Sequence, residues 1–150
     1  MTDLILAIAH HLSVFTLAGL LIAEIVLLKP GLSPERIRQL GLIDIAYGVV
    51  AGIIVVVGVL RVNFGDKGAD YYIHNWAFWL KMAAFVLVGL LSIPPTMSII
   101  GWRRKVAADP SFSPDATVVA GLRRFYIGEI VAFAFIPAFA AAMARGYGVM

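Results

Sequence analysis

A chain of 150 residues with 61% hydrophobic and 14% charged side chains, and a mean hydropathy of +0.93, is too apolar for a soluble domain, which is roughly half apolar. It has no cysteine, which excludes disulfides, thiolate metal sites, iron–sulfur clusters and covalently attached haem. The net charge of +3 does not point to nucleic acid, because the basic residues sit in short connections beside apolar runs, where membrane orientation accounts for them.

Four apolar runs, at about Leu4–Leu28, Leu40–Val62, Trp76–Ile100 and Leu122–Met143, reach the ~20 residues that cross a bilayer. Met1 to Asp3 lack the basic start of a secretory signal, and the run behind them is longer than a cleaved apolar region, so it reads as a retained first span. Pro30-Gly-Leu-Ser33-Pro34-Glu35 before the second run and Pro110-Ser-Phe-Ser113-Pro114-Asp115 before the fourth predict helix starts. In each, Ser is the cap, Pro is the first helical residue and an acid lies in the first turn. Gly41-Leu42 and Gly121-Leu122 follow at the same offset, either as two independent starts or as the remnant of a duplicated hairpin. On the second span Gly48-Val-Val-Ala-Gly52 would let another backbone come close. Pro94-Pro95 in the third and Pro137 in the fourth predict kinks or unpaired carbonyls. Spanning segments must satisfy their own backbone and four cannot close a barrel. The predicted fold is all-α, an antiparallel four-helix transmembrane bundle forming one domain over residues 1–150, and its small size and glycine-lined faces suggest a homo-oligomer or a subunit of a membrane complex.

Orientation follows from basic residues. Lys29, Arg36 and Arg38 flank the first connection, and Arg103, Arg104, Lys105, Arg123 and Arg124 the third, against only Arg61, Lys67 and Arg145 on the other side. A bacterial inner membrane would then have both connections in the cytoplasm, with both termini and the Asn63–Asn75 loop on the periplasmic side. Tyr72, Trp76 and Trp79 would mark the outer interface and Trp102 the inner one.

A charge inside the bilayer costs at least ~2.5 kcal/mol even on insertion scales, so each needs a partner or a task. Helical spacing puts His10, Ser13, Leu17 and Glu24 on one stripe, with His11 turned roughly 100° away. It groups Asp44 with Tyr47 and Gly48, and His74 with Lys81 and Ser92. Depth sorts these groups into an outer basic layer of His10, His11, His74, Arg61 and Lys81, and an inner acidic layer of Glu24, Asp44 and Glu129 beside Arg38, Arg123, Arg124 and Tyr126. The bland alternatives are acids paired with those arginines or carried uncharged, Lys81 on a carbonyl freed at a kink, one histidine bonded to a neighbouring helix, and Arg61 reaching for the outer surface.

The outer layer has the parts of a b-type haem site: an inward imidazole from His10 or His11, an apolar slot, and Lys81 and Arg61 for the propionates. The histidines His10, His11 and His74 are the candidate metal ligands. The competing reading is a proton-coupled carrier or an accessory subunit without cofactor, with Lys81, Glu129, Asp44 and Glu24 as the reactive groups. Ala-His10-His11-Leu, Asp44-Ile-Ala-Tyr47-Gly48, Arg61 followed by Lys67-Gly68, Phe78-Trp79-Leu80-Lys81 and Ser92-Ile-Pro94-Pro95-Thr96 resemble a family of small bacterial inner-membrane proteins known only as predicted membrane proteins of unknown function. A looser similarity is to HemJ-type protoporphyrinogen oxidases and copper-resistance D-like membrane proteins, where His10 or His11, Trp79 with Lys81, and Glu129 would fill the corresponding places. The spacing around the first-span histidines departs from that pattern. That likeness implies haem b and a membrane oxidoreductase acting on a porphyrin; membrane lipid and a quinone are the other expected partners.

Overall fold

The computed structural model describes residues 1–150 and is built from five helices: α1 (Thr2–Leu27), α2 (Pro34–Phe64), α3 (Gly68–Ile73), α4 (Trp76–Ala108) and α5 (Ala116–Ala144). Four are long and apolar enough to cross a membrane. They run past the spans expected from hydropathy. At ~1.5 Å per residue, the 31 residues of α2 extend roughly 46 Å, against a hydrocarbon core of ~30 Å. Leu12, Phe15, Val49, Val56, Leu90 and Phe135 stand exposed along the bundle, the surface that lipid covers.

The helices associate as two hairpins, α1 with α2 and α4 with α5. The hairpins meet mainly through α2 and α4, and only lightly through α1 and α5. The main core lies toward the end bearing the two hairpin connections, where Leu28, Leu32, Ile37, Leu40, Trp102, Val106, Val119 and Leu122 pack together. Trp102, expected on the outside of the bundle, packs into this core with only 6% of it exposed, because α4 continues beyond it. Tyr72 is likewise buried, while Trp76 and Trp79 are exposed as expected.

The two similar helix starts fold differently. Ser33 caps α2, accepting from the Arg36 amide at 3.3 Å with Pro34 in the first turn. At α5 the cap is Asp115, which accepts from the Thr117 amide at 2.7 Å and the Thr117 hydroxyl at 2.6 Å. Ser113 is drawn away to donate to the Leu32 carbonyl at 3.2 Å, tying one hairpin connection to the other. The Thr117 hydroxyl, then its amide, hold the Asp115 carboxyl below its usual range. This cap is complete at neutral pH, and it is lost only as the pH falls from the ordinary carboxylate range through the lowered one.

His74 is not on the third long helix. It closes the short helix α3 inside what was expected to be a loop, and Asn75 caps α4 by accepting from the amides of Ala77 (2.9 Å) and Phe78 (3.4 Å). The C-terminal segment docks here. Trp76 N–H donates to Gly148 O and Met150 N–H to His74 O, both at 2.9 Å, while Asn75 Nδ2 donates to Tyr147 O at 3.3 Å. Gly148 adopts φ +95°, and a Cβ there would lie 2.6 Å from Asn75 Oδ1, so only glycine fits. Replacing Asn75 by Ala removes the cap and the anchor together. We expect a stability loss of about 1 kcal/mol in detergent melts and faster hydrogen exchange at the Trp76 and Met150 amides.

Candidate functional site

The ends of the bundle carry opposite chemistry. Toward the termini, all five helices enclose a cavity of about 310 Å³, a volume at the lower edge of ligand-sized clefts. Its wall is chiefly Ile54, Val55, Phe78, Phe85, Phe133 and Ile136, and its polar groups include His10, Arg61 and Lys81. No acidic residue lines it. His10 comes from the third turn of α1, and its ring lies against Gly58 of α2, where a Cβ would be 3.9 Å from Cε1. A larger side chain there would occupy the space the imidazole faces. The Nδ1 atom of His10 and the Nε atom of Arg61 are buried with no hydrogen-bond partner in the protein. The Lys81 ammonium rests 5.3 Å from the centre of the Phe78 ring.

Neither cation has a counterion. The only ion pair in the chain is His74 Nδ1 to Asp70 Oδ1 at 3.2 Å, and both of those side chains are exposed. Uncompensated charge beside apolar walls is costly. The cavity is therefore an electropositive, mostly hydrophobic space with no acidic side chain on its wall.

Of the candidate histidines, only His10 reaches the cavity. His11 is exposed, its Nδ1 sharing a hydrogen with Ala7 O at 2.6 Å, because its position on α1 is a third of a turn away from the cavity stripe. The rings of His10 and His11 lie 6.3 Å apart at right angles. His74, held by Asp70, is exposed at the end of α3. No three His, Asp or Glu side chains come together, and of the three candidate ligands only His10 lines the cavity.

Toward the hairpin connections the carboxyl groups collect. Glu24 and Glu129 are 1% and 0% exposed. Tyr47 donates to Glu129 Oε2 at 3.1 Å, and Thr96 donates to Asp44 Oδ1 at 2.6 Å. The arginines expected to pair with these acids do not. Arg123 caps α1 instead, donating to Ile25 O at 3.1 Å and Leu28 O at 2.6 Å. Arg103 is within electrostatic reach of Asp44 without forming an ion pair. A second cavity, about 450 Å³, runs between α2 and α4 past Asp44, Tyr47, Ser92 and Thr96. Leu17, Val55 and Phe85 line both cavities and so form the wall between basic and acidic halves. Gly48 and Gly52 open onto the second cavity, and a Cβ at either would meet nothing within 4 Å, so no helix of this chain fills the close-approach motif.

The family follows from a match over nearly the whole chain, residues 2–148. The chain belongs to the DUF2214 family of predicted membrane proteins. That description agrees with the four apolar helices and assigns no activity. No curated protein and no solved structure matches it.

Sequence reasoning missed Met82 and Met143 in the basic cavity, Thr96 on Asp44, and the passage of Arg103 across Gly41. Thr96 alone had a signal: it is four residues from Ser92, on the same face. The Arg103 stem fills the space where a Gly41 side chain would be, whereas Gly121, its counterpart in the repeated Gly-Leu pattern, has open space. Gly41→Val should cost about 1–3 kcal/mol through overpacking, while Gly121→Ala should stay within about 0.5 kcal/mol of the parent. Thermal melts in detergent check both, and equal effects would show that the Arg103 crossing is not where the space is tight.

Proposed function

We propose that this protein binds an amphipathic anion in the cavity of His10, Arg61 and Lys81, and that the anion is haem b, serving electron transfer. The observation that carries this reading is the pair of cations facing apolar walls with no acid among them. A ligand with an extended apolar body and acidic substituents supplies both missing halves. In haem these are the macrocycle and its propionates. Lys81 and Arg61 would hold the propionates by charge-assisted hydrogen bonds. His10 would be the axial ligand, since its imidazole is turned inward and its Nδ1 is unspent. Met82 and Met143 bring thioethers to the same cavity, a second ligand type that haem iron accepts. Bound there, haem supplies one-electron redox chemistry. The apolar wall keeps water from the group, and the wall of Leu17, Val55 and Phe85 separates it from the carboxyl groups.

Protein purified in mild detergent from haem-replete cells should show a Soret band. His10→Ala should abolish it, while His11→Ala and His74→Ala should leave it intact, because those two rings lie outside the cavity. Lys81→Met should weaken haem binding about tenfold or more, as expected for one charge-assisted bond of about 1.5–3 kcal/mol. A colourless parent that gives no spectral change on haem titration would end the haem reading. If native mass spectrometry then finds an acidic lipid released by Lys81→Met, the anion site stands without iron. The absence of any such species removes the anion site as well.

The same reading places the membrane as the bacterial inner membrane, with the basic hairpin connections in the cytoplasm and the cavity in the periplasmic half. The lack of cysteine makes this simple to check. A membrane-impermeant maleimide added to intact spheroplasts should label Asp66→Cys and not Pro110→Cys; the reverse pattern would invert the topology.

A further inference from the structure

The acidic half holds a second feature that the anion cavity does not use. Glu24 Oε1, Glu129 Oε1 and the Tyr126 hydroxyl are all buried and have no hydrogen-bond partner among the protein's own groups. Such orphans are rare, because buried polar atoms are nearly always bonded to protein or to water. Three of the five in this chain lie within electrostatic reach of one another. Tyr126 and Glu129 are three residues apart on one face of α5, and Glu24 is buried on α1 next to Ile25, whose carbonyl accepts from Arg123 one turn before Tyr126. Only 2% of Tyr126 is exposed, so its hydroxyl cannot turn to bulk water.

The groups around this point are few. Tyr47 and Asp44 face it from α2. The α4 side contributes Thr96, bonded to Asp44, and Arg103, which acts on Asp44. The Arg123 guanidinium on α5 is taken up by α1 carbonyls. No cation therefore pairs with Glu24 or Glu129. Two ionised carboxylates so placed would repel each other in a medium that screens little. One proton between them removes that repulsion, and a water reaching the phenol satisfies the remaining oxygens.

We propose that Glu24, Glu129 and Tyr126 form a proton-binding site, in which internal water bridges the two carboxyl groups and the phenol and one exchangeable proton is shared between the carboxyls. Tyr47 links it outward, donating to Glu129 and lining the second cavity beside Asp44. The proton is taken from solvent and returned to it, with no bond other than O–H made or broken. The site does not depend on what fills the basic cavity.

Infrared difference spectra between acidic and alkaline pH, recorded on the full chain in lipid vesicles, test this. A carboxylic C=O band of a water-poor environment should appear on acidification. Glu24→Gln and Glu129→Gln should each change its frequency and lower the pH at which it appears, because the remaining carboxyl has lost its partner. Tyr126→Phe, which keeps the ring and so the packing, should shift its frequency, and Asp44→Asn should leave the band in place. The proposal is overturned if no such band titrates, if either glutamate substitution leaves both its frequency and its midpoint unchanged, or if Asp44→Asn alone removes it. Should a glutamate variant fail to fold, the Tyr126→Phe shift decides: an unshifted band rejects the shared site.

Discussion

Segregation of charge within hydrocarbon governs this molecule. Lys81, Arg61 and His10 occupy one half of the bundle, and Glu24, Asp44 and Glu129 the other, and no cation of the first set touches an acid of the second. Membrane helices ordinarily reduce the cost of buried charge by pairing it or letting it reach the interface. Pairing Lys81 with one of these acids would need helices that bring the two layers level. Instead Leu17, Val55 and Phe85 stand between them. Each half must therefore be compensated by something other than its opposite, and this requirement gives each its proposed ligand, an anion in one and a proton in the other.

The spans are legible because the bilayer imposes a length and an apolarity that few other constraints imitate. What stays obscure lies where hydrocarbon ends. The last two turns of α4 and the first turn of α2 are helical but polar, so hydropathy stops short of them, and Trp102, expected on the outside of the bundle, packs into the core. Capping residues compete over short distances. Ser113 and Asp115 are both good caps, and the Leu32 carbonyl decides between them, although it belongs to another hairpin and has no local signature. His74 falls outside the long helix that its spacing suggests for the same reason: Asn75 restarts the chain one residue later, anchored by a C-terminal tail about seventy residues away.

Among the polar groups, positions on one helix can be ordered by the 3.6-residue period. The separation of His10 from His11, and the stripe from Leu17 to Glu24, follow from that alone. Contacts between helices cannot be ordered this way, since they depend on relative height and rotation. Thus the acids are expected beside Arg38, Arg123 and Arg124, yet none of these forms an ion pair with them, and Arg123 is spent on α1 carbonyls. Helical periodicity orders the side chains of one helix and leaves their partners on other helices undetermined.

The packing explains why both sites are on the seam between hairpins. Within each hairpin the helices are continuous neighbours with short connections, so their facing side chains interlock. The seam is held firmly only toward the hairpin connections, where Leu32, Ile37, Trp102 and Val119 join, and where Ser113 bonds to Leu32. Toward the termini that clamp is absent, and the seam opens into the cavity of His10, Arg61 and Lys81, which Tyr72 of α3 also lines. Close packing of this region would have been easy to achieve with leucine in place of lysine and glycine, and it would have been more stable. That the bundle instead keeps space, an imidazole and two cations around one cavity is the physical ground for reading the opening as a binding site and not as imperfect packing.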